Sequence, residues 1–209
     1  MQHSLNNIKP RYEYVSSAKL PTLFGLFNIH GFFDTTENQE HVVLTHGQWD
    51  ANDIVPIRIH SECLTGDSLF STKCDCGFQL EKALQNIADH GFGAILYLRQ
   101  EGRGIGLLNK IKAYHLQDQG FDTVEANEHL GFDADLRDYN ICKTMLDTLD
   151  IVNVELMTNN PKKLRALEDL GINVVTRRAI DHGVTKDNKG YLKVKTNKLG
   201  HTFNLDKLK

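Results

Sequence analysis

Residues 151–176 read IVNVELMTNNPKKLRALEDLGINVVT. Ile151 to Met157 is an apolar run with strand character. Asn160 suits a helix N-cap and Pro161 the first helical position, so a short helix is predicted over Pro161 to Leu170. Ile172 to Thr176 then reads as a second strand. Strand, helix and strand in so few residues make a βαβ unit, whose crossover is normally right-handed. The unit decides the fold class: α/β.

Working back from it, a helix is predicted from about Asp135 to Leu149. Another, opened by the glycine-rich stretch Glu101-Gly102-Arg103-Gly104-Ile105-Gly106, has an apolar face of Leu107, Leu108, Ile111 and His115 or Leu116, and Gly120 ends it. Ala94 to Leu98 reads as a buried strand. Before it, Leu80, Ala83, Leu84, Ile87 and Ala88 share one face of a helix from about Gly77 to His90. Leu23 to Ile29 and Val42 to Leu44 read as strands around a polar turn, Asp34 to Glu40. Ile54 to His60 is a further strand, in which Pro56 suggests an edge position or a bulge. The expected architecture is a mixed sheet with an N-terminal antiparallel strand region, flanking helices and a C-terminal βαβ unit. Residues 1–180 are expected to form one domain with a loose polar start. The Lys-, Asn- and Gly-rich stretch 181–209 is expected to be a mobile tail.

The chain of 209 residues is 40% hydrophobic and 24% charged, which suits a packed globular protein rather than disorder. A formal net charge of −3 excludes a strongly basic nucleic-acid binder but not a local basic pocket. No apolar run approaches the roughly 18 residues of a membrane span. Four cysteines and no export signal predict a reducing, cytoplasmic setting in which thiols are free or bind metal.

Cys63, Cys74 and Cys76 form C-x10-C-x-C. Two thiolates one residue apart, with a third from the preceding segment, can make three corners of a tetrahedron. Zinc favours such thiolates, and three protein ligands leave the open position that catalysis requires. The alternative is three ordinary buried thiols. Cys142 lies mid-helix among apolar residues and reads as core. Thr158-Asn159-Asn160-Pro161-Lys162-Lys163 follows a strand and opens a helix, a place where phosphate is attracted, with simple capping as the alternative. Among ten histidines no pair has metal-ligand spacing.

The stretches Arg58 to Asp67, Cys74 to Leu80 and Arg99 to Lys110 closely resemble GTP cyclohydrolase II. So do Asp122 to Asn127, Asp135 to Tyr139, Thr158 to Lys163 and the late Gly200-His201, in order and at family spacing. The resemblance spans about Ala18 to His201. It implies a hydrolase acting on a cyclic amidine. GTP and three waters would give 2,5-diamino-6-ribosylamino-4(3H)-pyrimidinone 5′-phosphate, formate and pyrophosphate, the first step of riboflavin synthesis. It implies one zinc per chain on Cys63, Cys74 and Cys76, magnesium with the triphosphate, and a homodimer, with neither nucleic acid nor membrane as partner. A monofunctional chain is expected.

By the same resemblance, the substrate contacts are Arg58, Ile59, His60, Ser61, Glu62, Gln79, Glu101, Gly102, Arg103, Thr123, Thr158 and Lys163. Tyr114 is implied as a proton-handling or orienting group near the zinc water. Glu62, Gln79 and Glu101 are the candidate readers of guanine. Asp135 and Arg137, expected at a helix start and in its first turn, are implied as general base and nucleophile for pyrophosphate release. A guanidinium is protonated at ordinary pH and has no free lone pair. Stabilising charge on the transferring phosphoryl group is therefore an equally physical role for Arg137. Two other outcomes fit the residues: a family member that stops early, and a zinc-stabilised protein that binds a nucleotide without turnover.

Overall fold

The computed structural model describes residues 10–133 and 135–203. Its centre is a seven-stranded mixed sheet: β1 (Tyr12–Thr22), β2 (Gly25–Asp34), β3 (Gln39–His46), β4 (Ile54–Ser61), β5 (Gly93–Leu98), β6 (Asn153–Met157) and β7 (Asn173–Arg178), in the order β1-β2-β3-β5-β4-β6-β7. The first half is antiparallel, from β1 through β5. The second half is parallel, with β4 beside β5 and β6, and β6 beside β7. The helices are α1 (Leu64–Asp67), α2 (Cys76–His90), α3 (Leu107–Asp118), α4 (Thr123–His129), α5 (Ile141–Thr148), α6 (Pro161–Asp169) and α7 (Lys189–Leu199).

Period-two alternation sends the parallel strands' side chains to two cores. Val55, Ile57 and Ile59 of β4 and Ala94, Leu96 and Leu98 of β5 join Met145 and Leu146 of α5 on one face. Ile95 faces the other way, packing with Ala83 and Ile87 of α2. The same alternation turns Arg58 and His60 of β4 away from the larger core. α2 stops where Gly91 takes the left-handed cap conformation, at φ 93°. The expected βαβ unit is β6-α6-β7, and the Asn160 side chain accepts from Lys162 N, with Pro161 following. Cys142 is buried in α5, as expected.

Several expectations are corrected. Pro56 is not on an edge, because β4 lies between β5 and β6. Pro56 sits opposite Glu155 in the β4–β6 ladder, while the β4–β5 ladder begins only at Ile57. β1 is an additional strand, paired only to β2 and largely exposed along its middle. α3 does not bury its leucine face: Leu108 and Ile111 are exposed, at 74% and 51%. Its inward side instead carries Lys110, Ala113, Tyr114 and Gln117 along the wall of a cleft. The helix expected from Asp135 begins only at Ile141. Residues 135–139 are neither helix nor strand and lie beside the glycine-rich turn, tied by Leu136 N to Arg103 O at 3.1 Å. The stretch expected as a mobile tail carries α7 and buries Leu192 and Phe203. The expected loose start before Pro10 and the last six residues fall outside the described residues.

Candidate active site

The parallel strands β4, β5 and β6 end side by side, and the segments that follow them build one cleft. This is where open α/β sheets place ligands. All the sequence-predicted site residues line it except Ile59 and Asp135. Alternation explains Ile59. Its side chain lies in the larger core, and only its carbonyl serves the site, accepting from Lys163 Nζ at 2.8 Å. Asp135 stands behind Arg137, bonded to it at 2.7 and 2.8 Å.

Cys63 follows β4 directly, while Cys74 and Cys76 lead into α2. The three ligand atoms lie within 4.8 Å of one another, and Cys63 Sγ is 3.6 Å from Cys74 Sγ. A tetrahedral zinc with bonds of about 2.3 Å has S···S edges of roughly 3.8 Å, so the set fits that ion. The approach depends on two glycines: a Cβ at Gly77 would sit 2.1 Å from Gly66 O, and one at Gly66 2.8 Å from Cys74 Sγ. Hydrogen bonds from Cys74 and Cys76, helped by the Lys110 ammonium 3.1 Å away, lower the Cys63 pKa. That thiolate then pushes Cys74 up to about 11 and raises Cys76 as well. A divalent cation held here would relieve this repulsion and let all three ionise.

Asp67 fixes the end of β4. It accepts from Cys63 N at 3.0 Å and Tyr97 OH at 2.9 Å, and lies 3.0 Å from His60 Nε2. Glu101 accepts from Leu64 N, Gly102 N and Lys110 Nζ at 2.7–2.8 Å. It thereby ties the cysteine segment to a turn in which Gly102 and Arg103 are both left-handed. Tyr114 OH is 3.3 Å from Thr65 Oγ1, which is itself 3.6 Å from Cys63 Sγ. Burial raises the Tyr114 pKa. Thr123 enters from α4, whose Asp122 and Glu125 form a reciprocal capping box.

Seven cationic side chains line the cleft against two carboxylates, Glu62 and Glu101, a local excess within an acidic chain. Three of the cations, Arg58, Arg103 and Lys163, have no carboxylate partner among the described residues. Arg58 donates to Met157 O and Gln79 Oε1, leaving Nε without a partner. Both terminal nitrogens of Arg103 are shielded and unpaired. Burial, then the charges of Arg58 and Arg137, depress the Lys163 pKa well below that of a free lysine. A polyanion in this cleft would supply the missing counter-charge.

Arg137 differs. Burial alone would raise the Asp135 pKa, but hydrogen bonds and charge from Arg137 outweigh it and hold the carboxyl at about 2. The Arg137 pKa is raised despite its own burial.

A protein-family model, GTP cyclohydrolase II, matches residues 13–179. The chain belongs to the GTP cyclohydrolase II family. A GTP cyclohydrolase-2 of Shewanella denitrificans is 57% identical over 199 residues, covering 93% of this chain and 97% of its own. The Shewanella sediminis counterpart is 60% identical over 189 residues, covering 90% and 92%. RibBX, a two-domain 3,4-dihydroxy-2-butanone 4-phosphate synthase from A. baumannii with a solved structure, shares 15% identity at a TM-score of 0.43. The match covers 82% of this chain and 40% of that one, too distant to carry an argument.

Family motifs alone did not single out Lys110, Tyr191, Lys195 and His201, which also line the cleft. Lys110 closes the Arg99–Lys110 block and His201 the final Gly-His pair, so both sat in readable positions. Tyr191 and Lys195 lie beyond the family-model match, in a lysine-rich stretch that gives no local signal.

Proposed function

We propose that this chain opens the imidazole ring of GTP in a zinc-dependent hydrolysis. The products are 2,5-diamino-6-ribosylamino-4(3H)-pyrimidinone 5′-phosphate, formate and pyrophosphate, in the first step of riboflavin synthesis. The observation that carries the reading is the opening of a three-cysteine cluster onto the same cleft as three uncompensated cations. Cys63, Cys74 and Cys76 would hold the zinc. When bound, zinc can bring the pKa of water to about 7, which supplies a nucleophile for electron-poor C8 at neutral pH.

The chain's own groups do the rest. Lys110 offsets thiolate charge at Cys63. Tyr114, beside Thr65, is the group placed to orient or pass a proton at the ring-opening end. Gln79 is engaged by Arg58 and Asp75, and Glu101 by three donors. Glu62, whose ion-pair partner among the described residues is Arg99 Nε at 3.8 Å, is therefore the carboxylate left to accept from guanine. Arg58, Arg103, Lys163 and the N-terminus of α6 receive the phosphates, with Thr123 and Thr158 alongside and magnesium on phosphate oxygens. The backbone of Ile59, with His60, Ser61 and Gly102, shapes the floor. Arg137, kept protonated by Asp135, stabilises charge on the transferring phosphoryl group rather than attacking it.

Among the described residues no helix is long and apolar enough to cross a membrane. A cytoplasmic homodimer fits the reading, with exposed Leu108 and Ile111 of α3 leaving apolar surface for a second copy. A sedimentation mass equal to one chain would reject the dimer.

The test is to incubate the protein with GTP, zinc and magnesium and assay formate and pyrophosphate together. One of each per GTP supports the reading. Pyrophosphate without formate indicates an early stop, and neither product indicates a binder.

A further inference from the structure

Asp75 stands between two of the three candidate metal ligands and occupies the N-cap position of α2, yet makes no capping hydrogen bond. Its side chain is wholly buried. One oxygen accepts from Gln79 Nε2 at 2.6 Å, and the other accepts from Lys195 Nζ at 2.5 Å. Lys195 comes from α7, 120 residues away. Asn188, also buried, donates through Nδ2 to Cys74 O at 3.2 Å and to Gly183 O at 2.7 Å. Thr185 Oγ1 donates to Thr72 O at 3.2 Å.

The segment therefore grips the cysteine loop. Its far end reaches the phosphate side: Thr202 N donates to Asn159 O at 2.9 Å. A carboxylate buried between two thiolate ligands adds negative charge where the loop already carries it. The Lys195 ammonium compensates that charge, and without it the loop has reason to open.

We propose that α7 is a clamp on the cysteine loop, with Lys195 and Asn188 as positioning residues that hold Cys74 and Cys76 in ligand geometry. The proposal rests on the metal reading above. Residues that orient metal ligands typically account for roughly 10–100-fold in metal affinity.

The test measures zinc affinity by competition with a chromophoric chelator, without GTP. It compares the parent, Lys195→Met, Lys195→Arg, Asp75→Asn and the Asp75→Asn/Lys195→Met pair. Lys195→Met is expected to bind zinc roughly 10–100-fold more weakly. Lys195→Arg keeps the charge and regains most of the loss. In the Asp75→Asn background Lys195→Met adds nothing further, because its effect runs through Asp75.

Parental affinity in Lys195→Met, or an undiminished further loss in the Asp75→Asn background, would overturn the clamp. If Lys195→Met does not fold, Asn188→Ala carries the test: several-fold weaker binding supports the clamp and unchanged binding overturns it. A parent chain that takes up no zinc with its thiols intact overturns the metal reading itself, and that outcome is read before any variant is made.

Discussion

Gly77→Ala should break the metal site through sterics alone. The backbone at Gly77 is not in the left-handed region, so strain there plays no part. The added Cβ would lie 2.1 Å from Gly66 O and 2.9 Å from Gly66 C, and real Cβ atoms essentially never come closer than 3.0 Å. The segments carrying Cys63 and Cys76 must then part by roughly 1 Å, while metal–ligand distances tolerate about ±0.2 Å. Overpacking of this kind costs about 1–3 kcal/mol. At about 2–4 °C per kcal/mol for a domain of this size, the melting temperature should fall by roughly 2–12 °C. Calorimetry and zinc content of the purified variant are the assay, with Gly190→Ala as control, since an added Cβ there meets nothing within 4 Å. If Gly77→Ala keeps one zinc per chain and melts with the parent, the interlocked-glycine reasoning is wrong.

Other variants probe the phosphate end. Asp135 has a folded-state pKa depressed to about 2, so its contribution is present above about pH 4 and is lost as pH falls through 2. Denaturant melts of the metal-free protein should show the gap between parent and Asp135→Asn closing by on the order of 2 kcal/mol between pH 5 and pH 2; a gap independent of pH would contradict the pairing. Arg137→Ala should keep its zinc yet release pyrophosphate about 10²–10³-fold more slowly, the usual cost of removing a charge-stabilising donor. Parental pyrophosphate rates would remove Arg137 from the chemistry. Turnover of ATP should be lower by about 10⁴-fold, because polar groups that read guanine are left unpaired by adenine; comparable rates with the two nucleotides would sink the assignment of Glu62.

The parts legible in the sequence share a local physical signal. The periodicity of Leu80, Ala83, Leu84 and Ile87 marks α2, and the Asn160-Pro161 start marks α6. The cysteine spacing and the Thr158–Lys163 turn are likewise carried by short motifs. Failures occur where a residue's role is set from a distance. β1 shows no alternation because it pairs on one side only and is largely exposed. α3 is misread because its inward face lines a polar cleft, so Leu108 and Ile111 point outward. Asp135 resembles a helix N-cap, but its carboxylate is spent on Arg137. Lys195 looks like one more solvated lysine until the fold brings it to Asp75. α4 is a different case. Its capping box, Asp122 and Glu125, is a local signal that identifies the helix start.

The most direct test of the central claim is formate release by Cys74→Ser. The variant loses one thiolate from a cluster whose members lie within 4.8 Å. A folded Cys74→Ser should hold less zinc and release little formate from GTP, while the parent gives one formate per GTP. Folded Cys74→Ser protein that releases formate at the parental rate would contradict the claim that the three cysteines hold the metal that opens the ring.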